Sequence, residues 1–185
     1  MTRGAMDMLT SSDLGASAAT VIMRDDRFKP GTVLLEMIHI AECPAPPELE
    51  LTRFMPSTAL RLLLDADGND LADDHSTASL AGACLTRNRK LAKAVIASQA
   101  DKLNRMFAVG EQRARDRVPE LKARVLHDMR RTLDSEIERL RALALVNPGV
   151  RPDEIEHLEA RRLLLERHLE RIHLRLDALR VIVFG

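Results

Sequence analysis

One stretch of this chain constrains its fold more than any other: a run of apolar residues near the C-terminal end with heptad spacing. Ile155, Leu158, Arg162, Leu165, Leu169, Ile172, Leu176 and Leu179 are separated by steps of 3, 4, 3, 4, 3, 4 and 3. That pattern lays a stripe down one face of a helix, interrupted here by a single charge, Arg162. An earlier series, Val118, Leu121, Val125, Met129, Leu133, Ile137, Leu140 and Ala144, is closer to a 3.6 period. Between them lies Asn147-Pro148-Gly149-Val150-Arg151-Pro152-Asp153-Glu154. Pro148 restricts Asn147 and ends the first helix. Pro152 suits the first turn of the second, whose positive end Asp153 and Glu154 complement. A short linker makes two amphipathic helices antiparallel neighbours, so residues 118–179 are expected to form a helical hairpin. The β-type run Arg180-Val181-Ile182-Val183-Phe184 follows at once, so the hairpin has to return the chain to a sheet. Alternation puts Val181 and Val183 on one face, Ile182 and Phe184 on the other. Both faces are apolar, which predicts a strand covered on both sides, with residues 32–42 as its neighbour.

The upstream chain reads as β-rich. Residues 5–14 are a short helix candidate closed by Gly15. Residues 17–24 and 32–42 read as strands, the second buried on much of both faces, and Cys43-Pro44-Ala45-Pro46-Pro47 ends it. Leu49, Leu51 and Arg53 alternate with Glu50 and Thr52, as in a strand with one wet face. Leu60, Leu62 and Leu64 mark another strand, followed by Asp67-Gly68 as a tight turn and a short return over 69–71. Residues 73–83 read as a connection. A helix over 87–117 carries Ala92, Ile96, Leu103, Phe107, Ala114 and Val118 on one face, and Pro119 marks a kink or a new first turn.

Charge is unevenly spread. Up to Leu85 there are 6 Lys and Arg against 13 Asp and Glu, a net of −7; from Thr86 on the counts are 22 and 15, a net of +7. Cys43 and Cys84 are the only cysteines. Two free thiols suit a reducing compartment, with a single disulfide as the alternative. The N-terminus lacks the apolar stretch of a secretory signal, and no run approaches the roughly 20 apolar residues of a membrane span. The expectation is a cytoplasmic protein with no membrane partner.

Candidate chemistry dissolves under inspection. Glu154-x-x-His157 and Glu170-x-x-His173 have the spacing used in di-iron bundles, but both fall on one expected helix. With Ile155 at position a they occupy g, c, b and e, outside the seam, and read as solvated charge. Asp65-x-Asp67-Gly68-Asn69 resembles a calcium loop, yet its Gly is fourth rather than sixth and Ser76 stands at position twelve; a hairpin turn explains it. No glycine precedes Lys-Ser or Lys-Thr, so there is no phosphate loop. Asp153-Glu154-Ile155-Glu156 is explained by helix capping. No Gly-x-Ser-x-Gly elbow occurs, and neither Cys has a local His partner. Catalytic residues, metal ligands and cofactor-binding residues are therefore expected to be none. The candidates for partner or nucleic-acid contact are Arg87, Arg89, Lys90 and Lys93, then Arg113, Arg115 and Arg117, and Arg162 within the seam. Interleaved acids and the lack of stacking aromatics favour a solvated surface over a nucleic-acid face. For Arg162 a pairing across the hairpin is the preferred reading.

Val146-Asn147-Pro148-Gly149-Val150-Arg151-Pro152-Asp153-Glu154-Ile155, followed by Arg175-Leu176-Asp177-Ala178-Leu179-Arg180-Val181-Ile182-Val183, closely resembles the C-terminal end of the RapA (HepA) family of bacterial RNA polymerase-associated ATPases. Gly4-Ala5-Met6-Asp7, Gly31-Thr32-Val33-Leu34-Leu35-Glu36, Arg53-Phe54-Met55-Pro56 and Leu62-Leu63-Leu64-Asp65, leading to Gly68-Asn69, are similar in the same order. Leu174 departs from the pattern, standing where a tryptophan is expected. The resemblance implies a helicase-like ATPase that binds RNA polymerase and promotes its recycling, with its ATP-binding, DNA-tracking motor upstream of this region. Met1 is then expected to be an internal methionine. The resemblance brings no catalytic position to this chain. It implies a non-catalytic docking or regulatory region with RNA polymerase as partner and with DNA contacted through the full-length protein. The alternatives are a nucleic-acid module using the basic helices and a free-standing helical scaffold.

The combined expectation is α+β: an antiparallel β-rich N-terminal half, then long helices ending in an antiparallel helical hairpin, with a C-terminal strand rejoining the sheet. Residues 1–15 are a short helical lead-in, 16–85 the β-rich part and 86–185 the helical part with its terminal strand, with 16–185 folding as one unit.

Overall fold

The computed structural model describes residues 17–81, 84–86, 94 and 96–185, with side chains from Arg24 on except at 81–93 and 95. The helix expected over 5–14 and the candidates Arg87, Arg89, Lys90 and Lys93 lie outside the described residues. The elements are β1 (Ser17–Met23), β2 (Val33–Glu42), β3 (Ala59–Leu64), α1 (Thr77–Ala81), β4 (Cys84–Thr86), α2 (Ala100–Ala144), α3 (Pro152–Leu169) and β5 (His173–Phe184). The protein is α+β, and its strands form one five-stranded sheet in the order β3-β2-β5-β1-β4.

The C-terminal strand joins that sheet as an interior member. β5 lies between β2 and β1. Glu36 meets Arg180, and Thr32 meets Phe184, so β2 and β5 run antiparallel. β2 and β3 are antiparallel, with Leu35 opposite Leu64 and Ile40 opposite Ala59. β1 and β5 run parallel, from Ser17 opposite Ala178 to Met23 opposite Phe184. This parallel pair is the exception in an otherwise antiparallel sheet. Its strands are separated by most of the chain, as a parallel crossover allows.

The chain divides into two compact units, each discontinuous in sequence. Among the described residues the first comprises those up to Ile40, Ala59–Arg115 and Arg175–Gly185; the second comprises Ala41–Thr58 and Asp116–Leu174. In the first unit the two faces of the sheet bury different cores. Leu34, Leu63, Ile182 and Phe184 pack with Leu80 on one side, joined by Phe28 and Leu71. On the other side α2 comes so close that a Cβ on Gly110 would sit 2.2 Å from Met37 Sδ and 3.1 Å from Leu64 Cδ1. Ile96, Leu103, Phe107 and Ala114 are buried, as the spacing predicts. The expected tight turn forms after β3. Gly68 N–H donates to Asp65 O, and Gly68 adopts φ +85°, a left-handed conformation that glycine takes without steric cost. The return over 69–71 contains a single bridge, Asp70 to Leu64.

Four expectations need correction. Residues 49–53 are not a strand but two 3₁₀ turns, Pro47–Leu49 and Leu51–Arg53, joined by Glu50 at φ +49°. Pro47 starts the first turn, and the left-handed residue breaks the alternation. The connection over 73–83 contains the short helix α1. Of the two readings of Pro119, the new first turn does not hold, because α2, 45 residues long, runs through it. The proline has no N–H to donate to Arg115 O, and its ring crowds that carbonyl. Finally, the second hairpin arm ends at Leu169 rather than 179. The heptad steps continue through Ile172, Leu176 and Leu179, but the segment from His173 extends and pairs in the sheet. Residues 172–179 satisfy both periods, and the unpaired edges of β1 and β2 decide in favour of strand.

Candidate docking surface

The second unit is the helical hairpin with the segment 41–58 folded onto it. Along α2, Leu121, Val125, Met129, Leu133 and Ile137 recur every four residues, and all are buried. The first four pack against Leu165, Leu169 and Ile172, with Leu49, Phe54 and Met55 from the folded segment. Pro152 opens α3, with Asp153 and Glu154 in its first turn. In the linker, Asn147 Oδ1 accepts the N–H of Gly149 at 2.9 Å.

Charged pairs fix the register of the two arms. Lys122 Nζ donates to Glu170 Oε2 at 2.8 Å, Arg130 Nε to Glu166 Oε1 at 2.8 Å, and Arg141 Nη2 to Glu159 Oε1 at 2.5 Å. Arg162, the charge in the seam, lies 3.4 Å from Asp134 on the other arm and 3.1 Å from Glu166 on its own. The pairing across the hairpin is therefore present. The folded segment is tied to both arms: Arg161 donates to Leu49 O and Glu50 Oε2, Arg53 pairs with Glu136, and Cys43 Sγ donates to His168 O. Cys43 is a free thiol, and burial pushes its pKa up, which leaves it the less reactive thiol form. With His173 and residues of the folded segment, Cys43 lines an open cleft of about 600 Å³ whose wall includes Pro44, Pro46, Pro47, Leu51 and Met55.

The motifs weighed for metal binding are occupied by local structure. Asp65 accepts the N–H groups of Asp67 and Asn69 and the Asn69 side-chain amide, which holds the turn. Glu154 pairs with Arg151, and Glu170 with Lys122. His173 starts β5 rather than ending a helix, and lies 3.7 Å from Glu42. The two Glu-x-x-His motifs therefore do not share a helix.

Of the basic candidates, Arg113 is half-buried while Arg115 and Arg117 are exposed. Arg115 contacts Glu111 at 3.7 Å and Gln112 at 3.1 Å. Residues two apart on a helix leave it about 200° apart, so Arg113 and Arg115 do not make one patch. Two features of the first unit went unanticipated. Glu36, 3% exposed, is gripped by Arg61 Nε at 2.7 Å and Arg180 Nε at 2.6 Å from the flanking strands. Arg61 also donates to the carbonyls of Ala72 and His75. His39, 1% exposed, donates from Nε2 to Glu111 Oε1 at 2.9 Å. That bond, with the further help of Arg115, holds the Glu111 carboxyl below its ordinary 4.5 against the opposing cost of burial. A single Glu or His within an apolar run is the signal that marks such positions.

The exposed apolar side chains are the other omission. Leu145 and Val146 are 87% and 81% exposed in the hairpin linker, and Leu163 and Leu164 are 48% and 44% exposed on α3. With Arg162 at position a, these two leucines fall at b and c, where a helix that meets only water carries polar residues. Leucine there is the signal that sequence reading passed over.

A model of the C-terminal region of the RNA polymerase recycling family matches residues 1–184. The RNA polymerase-associated protein RapA of Stutzerimonas stutzeri is 40% identical over 185 residues, all of this chain and 19% of that protein. The RapA proteins of Pseudomonas aeruginosa and Actinobacillus pleuropneumoniae are 38% and 37% identical, over 100% and 99% of the chain and 19% of their own lengths. The chain thus spans about a fifth of the length of these relatives. Matched along its whole length by the family's C-terminal model, this chain belongs to the RNA polymerase recycling family and corresponds to the C-terminal region of RapA.

Proposed function

We propose that this chain is a non-catalytic docking or regulatory region of a longer RapA-like ATPase, one that engages RNA polymerase in the bacterial cytoplasm and assists its recycling in transcription. The observation that supports this reading is the pairing of a match along the whole chain with a 19% share of the relative, as one region of a longer polymerase-associated protein would give. The organisation of its side chains supports it. Buried charges are spent on one another, as in Arg61–Glu36–Arg180, while apolar side chains stand in water on the hairpin. Exposed apolar groups of that kind suit a protein partner. The test is capture of purified RNA polymerase by the immobilised chain. Retention that survives nuclease treatment is expected. No retention, or retention only through nucleic acid with a steep salt dependence, overturns the reading and favours a nucleic-acid module using the basic helices.

A further inference from the structure

The outward face of α3 near its C-terminal end carries two half-exposed leucines and Arg167, and Arg171 stands in the turn just beyond the helix. Leu163 precedes Arg167 by four residues and Leu164 precedes it by three, so all three are neighbours on the helix surface. Arg171 lies two residues past the end of α3, in the turn that leads to β5. Arg167 and Arg171 are exposed, and among the described residues neither has a carboxylate within ion-pair distance. The reason lies in how the hairpin spends its acids. Glu159, Glu166 and Glu170, each three or four residues from Leu163 or Arg167, are engaged by Arg141, by Arg130 and Arg162, and by Lys122. Arg161, on the adjoining turn, is neutralised by Glu50. Each of these three acids is thus paired with another basic side chain, which leaves the face apolar and positive.

We infer that this face of α3 is the surface through which the chain docks on RNA polymerase, and that it takes a polymerase segment bearing carboxylates beside apolar side chains. The inference rests on the docking role proposed above and names the surface and the chemistry of its partner. Charge complementarity selects the occupant: Arg167 and Arg171 supply planar, bidentate donors to carboxylates, and Leu163 with Leu164 supplies the apolar contact that a phosphate backbone does not use. The hairpin tip at Leu145 and Val146 is more exposed, but Arg151 there is paired with Asp153 and Glu154, and it carries no such imbalance.

The test measures the affinity of the intact chain for purified RNA polymerase at low and high salt, with melting temperatures recorded for every variant. Leu163→Ser with Leu164→Ser, and Arg167→Glu with Arg171→Glu, should each weaken binding at least tenfold without lowering the melting temperature. The charge reversal should also remove most of the salt dependence, while Arg167→Lys with Arg171→Lys retains part of the affinity. Leu145→Ser should bind like the parent chain. If the parent binds and the α3 variants bind equally well, the surface is wrong and the docking role stands. If the parent does not bind polymerase, both fail. If Arg167→Glu with Arg171→Glu abolishes binding to a DNA or RNA duplex rather than to polymerase, the partner is nucleic acid and the inference is overturned.

Discussion

Leu165 and Arg167 are two residues apart on α3, and the helix turns about 200° between them. Leu165 is fully buried and Arg167 is exposed. Leu165→Ala should therefore cost about 2–5 kcal/mol, and Arg167→Ala should stay within about 0.5 kcal/mol, both measured by urea denaturation. Equal losses would show that the seam lies elsewhere. This contrast was legible in the sequence, because burial follows position in the repeat. The partners of Glu36 and His39 were not, because nothing in a linear order says which strand lies beside which. The Glu111–His39 bond carries a pH prediction. The folded carboxyl titrates below its unfolded value of 4.5, so its contribution to stability is whole above that pH and is lost as the pH falls through the lowered folded value. Glu111→Gln should flatten the acid limb of the stability profile below pH 4.5. An unchanged slope there would mean that the bond is not made in solution.

At the scale of elements, two contacts decide the first unit. Gly110 lets α2 approach the sheet at Met37 and Leu64. Gly110→Ala gains about 1 kcal/mol of helix propensity, but the methyl group must displace a fully buried methionine, and overpacking costs about 1–3 kcal/mol. A lower melting temperature is the expected outcome; a higher one would show that Met37 yields freely. The second contact is β5. Its residues 181–184 pair with 20–23 of β1, and Phe184 exchanges backbone bonds with Gly31 and Thr32. Val181, Ile182 and Phe184 are all buried. A chain truncated after Arg180 should be insoluble or melt far below the intact one, and an unchanged melting temperature would make the strand dispensable. The sequence announced this strand through its apolar run on both faces, and named β2 as its neighbour correctly. It could not announce where α3 gives way to β5, because residues 172–179 satisfy the helical and the extended period alike. Sheet pairing, a tertiary effect, settles that boundary. The same holds for residues 49–53, where alternation suggested a strand that has no neighbour to pair with.

For the whole molecule, the family relation matches these residues to about a fifth of the length of much longer relatives. The chain has no Gly-x-x-x-x-Gly-Lys-Ser/Thr loop, and the buried carboxylate of its sheet, Glu36, is committed to two arginines. Purified alone, it should neither bind nor hydrolyse ATP; turnover that disappears on mutating one of its own residues would overturn this. The placement of β5 has a consequence for biosynthesis. Ribosomes deliver the chain from its N-terminal end, so β1, β2 and β3 emerge long before the strand that lies between β1 and β2. Ser17 must wait for Ala178, a separation of 161 residues, and loop closure over such a length slows sheet formation. Until β5 emerges, β1 and β2 each present an unpaired edge, the kind of surface that recruits other strands. The nascent chain is thus most vulnerable to aggregation while α2 and α3 are being translated, and the sheet closes only after the hairpin has left the ribosome.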